Sequence, residues 1–188
     1  YTVPFEIVPD EINSNGYKFI INKNENNALT ASAQKINTGS KDSKIALLCA
    51  SLVGDKDAEF VINGRGVKAK VNSCFERFAR WDLYDFGETA YIKKGKIAYE
   101  ATHCHKNGKD EIAKSMYFYI VEFDVPKNST VILPNDSDIV ILAACSLHDG
   151  KATLAAPVYD EIQNNRPFTF KMSKKEKAEY ILGKCVWN

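Results

Sequence analysis

Long apolar runs and an excess of charge of one sign are both lacking in this 188-residue sequence. No apolar stretch approaches the ~20 residues that a membrane-spanning helix needs, so we expect no membrane partner. Basic and acidic residues nearly balance, 25 against 24, which leaves a net charge of +1. Proteins that bind nucleic acids usually carry a clearly basic surface, so we expect no nucleic-acid partner.

Paired cysteine motifs are also missing. None of the five cysteines belongs to a C-x-x-C pair; they are Cys49, Cys74, Cys104, Cys145 and Cys185. Their odd number and wide spacing argue against a disulfide framework or a zinc site. Cys49 and Cys145 stand in apolar runs, which predicts buried free thiols at both positions. No signal peptide is visible, but the sequence starts at Tyr1 and not at a Met, so we expect a fragment or a processed product.

A period of two dominates the sequence, as is typical of β-strands. In the stretch 117–125, large apolar and aromatic side chains share one face: Tyr117, Tyr119, Val121, Phe123 and Val125. Glu122 and Asp124 fall on the other face. This pattern predicts a strand with one face in a core.

Turn signals divide the chain into short strands. Asn63-Gly64 and Asn107-Gly108 supply the positive φ angles of tight hairpin turns. Further strand candidates are residues 17–21, 28–36, 44–53, 130–133 and 139–146. The stretch 44–53 is apolar almost throughout and should be covered on both sides. About nine strands predict an all-β fold, an antiparallel β-sandwich or jelly roll of the galactose-binding-like kind.

The pattern changes after residue 150. We predict one β-sandwich domain over residues 1–150 and an extension over residues 151–188. The extension either packs on the sandwich or leads to another domain of the parent polypeptide. Ser173 and Glu176 match a capping box and Gly183 is a stop signal, which predicts a short C-terminal helix at about residues 174–182.

Aromatic and polar side chains are mixed densely in residues 75–86. Aromatic rings stack on the apolar face of a sugar, while charged and amide groups bond its hydroxyls. The candidate sugar-binding residues are Arg80, Trp81, Asp82, Tyr84, Asp85 and, further along the chain, Tyr99. Trp81 has a second interpretation, because a β-sandwich often buries one central tryptophan.

Two oxygen-rich segments are candidate calcium sites. They contribute Asp55 and Asp57 in one segment, and Asp136 and Asp138 in the other. Calcium prefers such carboxylate oxygens. Aspartate also occurs in turns for backbone reasons, and this alternative stays open.

A histidine pair is a second candidate metal site. On a strand, His103 and His105 point to one side and Cys104 to the other. Together with Glu111 and His148, the pair would make a cupin-like metal site. Alternatively, the two histidines only bond carbonyls or carboxylates and fix a turn.

Six short stretches, spread in order over residues 16–146, carry a family resemblance. They are NNAL at 26–29; KIALLCAS at 44–51; GD at 54–55 with FVI at 60–62; RWD at 80–82; IAYEATHCH at 97–105; and LPND at 133–136 leading into IVILA. In order and spacing they resemble the C-terminal β-sandwich region of bacterial α-mannosidase-like proteins of glycoside hydrolase family 38. Catalysis in that family belongs to a metal-binding α/β domain, so the resemblance implies a non-catalytic accessory domain. Cys104 and Arg80 depart from the family, which usually has Arg and Gln there.

We therefore predict a non-catalytic carbohydrate-binding module of a glycoside-hydrolase-type or polysaccharide-processing protein. It would bind plant or microbial glycans by aromatic stacking and polar contacts, with other domains of its parent polypeptide as partners. No cofactor is expected apart from a structural calcium ion. The expected location is secreted or at a bacterial cell surface, with the cytoplasm as alternative. Two other hypotheses stay open: a structural accessory domain of an α-mannosidase-like enzyme, and a cupin-like metal-dependent enzyme.

Overall fold

Alternating side chains and Asn-Gly turns produce a series of short strands. The computed structural model describes residues 1–23, 27–75, 79–82 and 89–148, and no helix occurs among them. In chain order the strands are β1 Glu11–Ser14, β2 Tyr17–Ile20, β3 Leu29–Ser32, β4 Lys35–Asn37, β5 Asp42–Ser51, β6 Lys56–Ile62, β7 Arg65–Val71, β8 Ala79–Asp82, β9 Thr89–Ile92, β10 Lys96–Ala101, β11 Cys104–Lys106, β12 Lys109–Glu111, β13 Met116–Asp124, β14 Thr130–Ile132 and β15 Asn135–His148. The described residues all lie in the first of two units of the chain, which spans residues 1–153. A search of the same residues finds no helix long and apolar enough to cross a bilayer.

Two antiparallel sheets form a sandwich. The larger has the strand order β10-β13-β5-β15-β3 and the smaller has the order β4-β14-β6-β7. Three further pairs, β1-β2, β8-β9 and β11-β12, are separate two-stranded sheets. The predicted all-β sandwich is therefore confirmed for the described residues.

The central strand β5 buries both of its faces, as its nearly continuous apolar sequence predicts. Its even-numbered residues join the hairpin core, a cluster closed by the β1-β2 hairpin that includes Val8, Phe19, Ala46, Leu48, Ala50, Cys104 and Phe118. Its odd-numbered residues join the sandwich core, which lies against the smaller sheet and includes Ile45, Leu47, Cys49, Phe60, Val71, Phe123 and Val131. The five-stranded sheet is thus covered on both sides.

Strand β13 departs from its prediction. Val121 and Phe123 point into the sandwich core as expected. The opposite face is also buried at its N-terminal end, because Met116 and Phe118 pack in the hairpin core. The prediction that β13 buries only one of its faces is therefore wrong. The alternation of polar residues begins only at Glu122, beyond the part that the hairpin core covers.

Both Asn-Gly turns are confirmed. Asn63 and Gly64 have φ angles of 49° and 83° between β6 and β7, and Asn107 and Gly108 have 53° and 73° between β11 and β12. The single strand expected at residues 28–36 is wrong. It is divided into β3 and β4, which belong to different sheets, and Ala33 between them has a positive φ of 59°.

The two cysteines that were predicted to be buried differ in their exposure. Cys49 is buried as predicted, whereas Cys145 is only half-buried because the C-terminal part of β15 is partly exposed. The helix predicted at residues 174–182 lies outside the described residues, as does Cys185.

Candidate functional site

The predicted sugar-binding residues lie mainly in parts of the chain whose side chains the structure does not describe. The RWD stretch at 80–82 belongs to β8, which pairs with β9. Tyr84 and Asp85 lie outside the described residues. Tyr99 on β10 is half-buried, and its hydroxyl donates a hydrogen bond to the carbonyl oxygen of Ile7 at 2.9 Å. The aromatic platform therefore stays a prediction.

A cleft with a volume of about 440 Å³ opens beside the β6-β7 turn. The turn and the start of β7 form one wall, and the residues around the end of β13 form the other. Its lining residues are Ile62, Asn63, Arg65, Gly66, Val67, Asp124 and Pro126. The lining combines apolar residues with three polar side chains, and no sequence motif marks this segment for ligand binding.

The three polar side chains of this cleft differ in their contacts and in their exposure. Asn63 is structural, because its Nδ2 donates to Oγ of Ser129 and its Oδ1 accepts from the amide of Thr130. Asp124 is 84% exposed and pairs with Lys44 at 3.0 Å. Arg65 is exposed and has no ion-pair partner within the described ranges. The guanidinium and the carboxylate are thus accessible to a polar ligand.

The predicted histidine pair forms a second candidate site. His103 and His105 lie side by side with ring centroids 5.5 Å apart, while Cys104 is buried on the other side of the chain. Glu6 joins them from the N-terminal segment. Its Oε1 lies 2.8 Å from Nε2 of His105 and 3.6 Å from Nε2 of His103. One ligand atom from each of the three residues lies within 4.8 Å of the other two.

The N-terminal segment brings Glu6 to the histidines. Thr2 and His105 exchange two backbone hydrogen bonds of 2.9 and 3.0 Å. The amide of Ile7 donates to the carbonyl of Pro4, which closes a turn around Glu6. The pKa of the Glu6 carboxyl is lowered, first by a hydrogen bond from its own backbone amide and then by the neighbouring histidines.

Glu6 takes the place that the cupin-like hypothesis gave to Glu111. Glu111 pairs with Cys104 across the β11-β12 hairpin and does not belong to the three-residue group. His148, the fourth residue of that hypothesis, ends β15 opposite Asp42. Among the described residues the three-residue group thus contains Glu6 rather than Glu111, and the wider set of His103, His105, Glu111 and His148 stays a prediction. No sequence motif marks Glu6, since only the folded chain brings it to the histidines.

Lysine side chains lie at three of the four aspartates predicted to bind calcium. Nζ of Lys56 lies 3.4 Å from Oδ2 of Asp136 and 2.7 Å from Oδ2 of Asp138. Asp55 pairs with the buried Lys93. Within the described part of the chain, these aspartates do not bring three carboxylates within 4.8 Å of one another. Calcium binding stays a prediction, and the ammonium groups already neutralise most of its proposed ligands.

Comparison with known families supports the fold and leaves the ligand open. No curated protein sequence matches the chain. The family model of the AziU2-like beta-sandwich domain matches residues 1–150, and nothing in that match links the chain to the α-mannosidases of glycoside hydrolase family 38. The chain therefore belongs to the AziU2-like beta-sandwich domain family.

Proposed function

We propose that this β-sandwich is a non-catalytic module that binds carbohydrate in the cleft beside the β6-β7 turn. One observation carries the proposal: an exposed guanidinium and an exposed carboxylate line the same cleft as three apolar residues, which we call its apolar floor. The charged groups belong to Arg65 and Asp124, and the floor is formed by Ile62, Val67 and Pro126.

This combination suits the two chemical sides of a sugar ring. Arg65 can donate hydrogen bonds to hydroxyl oxygens and Asp124 can accept them from hydroxyl hydrogens. The C–H face of the ring can pack on the apolar floor, and a volume of about 440 Å³ lies in the range of small-molecule sites. The resemblance to the β-sandwich of α-mannosidase-like proteins favours a glycan over other polar ligands.

The lining of the cleft supports binding without catalysis. Hydrolysis of a glycosidic bond normally requires two carboxyl groups, roughly 5 to 9.5 Å apart, on either side of the bond. Among the described lining residues, Asp124 is the one carboxylate. Because the described lining residues include no aromatic ring that could stack on a sugar, we expect a dissociation constant in the millimolar to micromolar range, a binding free energy of about −4 to −8 kcal/mol.

The test is titration calorimetry of the full chain with mannan, xylan, glucan and pectin fragments, guided by a glycan array. We expect Arg65→Ala to weaken the observed binding at least tenfold, about 1.4 kcal/mol, because it removes the donors to the hydroxyls. Lys68→Ala is the matched control. It removes a positive charge from the same strand, on the face opposite to Val67, and should change the affinity less than twofold.

Two results would count against the proposal. Absence of binding to every glycan would favour the structural accessory-domain hypothesis. Binding that Arg65→Ala leaves unchanged would move the sugar site away from this cleft, and residues 75–86 would then be the next segment to mutate.

A further inference from the structure

We propose that Glu6, His103 and His105 form a binding site for one divalent transition-metal ion, with Zn²⁺ as the best-fitting ion. The site shares no residue with the carbohydrate cleft and does not depend on the proposal made for it.

The three side chains are suitable zinc ligands. Imidazole nitrogen and carboxylate oxygen bind zinc at roughly 2.0 to 2.2 Å, and two ligands of one tetrahedral ion therefore lie about 3.4 Å apart. Oε1 of Glu6 lies 2.8 and 3.6 Å from the two Nε2 atoms, and all three ligand atoms lie within 4.8 Å of one another. The Glu6 side chain is 54% exposed, so it has room to adjust to the bonding geometry.

Nε2 of His105 is a buried nitrogen that lacks a regular hydrogen bond. Carboxylate oxygens of Glu6 and Asp110 lie 2.8 and 3.2 Å away, yet none is aligned with this nitrogen in hydrogen-bond geometry. These carboxylates lie at ion-pair distance, and a metal ion bound to the lone pair of this nitrogen would be neutralised by the same two groups. The Asp110 carboxylate is close enough to join the site directly or through a water molecule.

The surrounding structure orients the ligands before any ion arrives. Two backbone hydrogen bonds between Thr2 and His105 hold the N-terminal segment against β11. Nδ1 of His103 lies 3.4 Å from Oγ1 of Thr102, which leaves Nε2 of that ring for the metal. Partners on the second ring nitrogen are usual for histidines that bind metals, because they fix the tautomer and the ring orientation.

Two histidines and one glutamate are three protein ligands. Such a set leaves at least one coordination position of a zinc ion for water or for an atom of a bound ligand. The set is also too poor in oxygen for calcium, which takes six to eight oxygen ligands. The site is therefore distinct in chemistry from the aspartate segments.

The experiment uses the untagged 188-residue chain after it has been stripped of metal with a chelator. Zn²⁺ is titrated by calorimetry and Co²⁺ by visible absorption. We expect one ion to bind per chain. The visible absorption of bound Co²⁺ should be that of an ion with a low coordination number, without a charge-transfer band from a thiolate ligand. His103→Ala, His105→Ala and Glu6→Gln should each weaken Zn²⁺ binding at least tenfold.

Two controls make the result specific. Glu11→Gln removes a carboxylate from an exposed ion pair with Lys18 and should change the affinity less than twofold. His148→Ala removes the third histidine and should also have no effect. Loss of binding in His148→Ala, a thiolate band, or no Zn²⁺ binding at millimolar concentration would each overturn the proposal. Glu6→Gln is a surface change, so it remains informative even if a histidine variant fails to fold.

Discussion

Lys93 places an ammonium group inside the protein, with 2% of its side chain exposed. It donates to Oδ1 of Asp55, which also accepts a hydrogen bond of 2.9 Å from the amide of Ser73. Partial burial raises the pKa of Asp55, but the hydrogen bonds from Lys93 and Ser73 outweigh it and the net pKa is lowered. The carboxylate therefore stabilises the folded state mainly by satisfying a buried cation.

We predict that Asp55→Asn lowers the free energy of unfolding by about 3 kcal/mol at pH 7, because it removes the carboxylate that accepts a hydrogen bond from the buried Lys93 ammonium group. The folded pKa is depressed, so the contribution is complete above the unfolded pKa of about 3.9 and is lost as the pH falls through the folded value. Urea unfolding from pH 8 to pH 2 should show a constant difference between wild type and variant above pH 5, which shrinks below pH 4.

Asp138→Asn is the control for the Asp55→Asn variant. Its carboxylate pairs with the partly exposed Lys56, so the variant should lose less than about 1 kcal/mol. If the two variants lost the same free energy of unfolding, the burial of Lys93 would not be the cause of the large contribution of Asp55.

The roles of individual residues were the features that the sequence predicted least well. Asp55 was recognisable as a polar residue in a turn, but its partner Lys93 lies 38 residues away. His103 and His105 lie side by side as expected, although His103 precedes β11 and does not itself belong to a strand. Glu6 was missed because its approach depends on how the N-terminal segment pairs with β11.

Elements were predicted best where their cause is local. The β6-β7 and β11-β12 turns follow from Asn-Gly, since both residues tolerate a positive φ. The division of β3 from β4 and the second buried face of β13 could not be predicted. Both depend on which sheet or hairpin lies alongside, and single-strand periodicity carries no information on that neighbour.

The two turns provide a matched experiment. Asn63 bonds Ser129 and Thr130 through its side chain, whereas Asn107 makes no side-chain hydrogen bond among the described residues. Asn107→Ala should cost about 1 kcal/mol more than Asn107→Gly, because alanine at positive φ is strained. Asn63→Gly should be about 1–2 kcal/mol less stable than Asn107→Gly, because two tertiary hydrogen bonds are lost. Thermal unfolding of the three variants gives both differences, and equal stability of the two glycine variants would contradict the second.

At the scale of the whole described unit, β5 joins two cores. Leu47 and Leu48 are consecutive and fully buried, yet Leu47 lies in the sandwich core and Leu48 in the hairpin core. The same backbone hydrogen bonds to β13 and β15 hold both side chains in place. Loosening either core should therefore weaken the strand on which the other core depends.

We predict that Leu47→Ala and Leu48→Ala each cost about 2–5 kcal/mol and accelerate amide exchange in both outer layers, since unfolding through β5 is shared. Hydrogen exchange measured by mass spectrometry would compare β1-β2, which cover the hairpin core, with β6-β7, which cover the sandwich core. The exposed Val53→Ala should leave both unchanged. If Leu48→Ala accelerated exchange in β1-β2 alone, the hairpin would be an independently melting layer, and β5 would not couple the two cores.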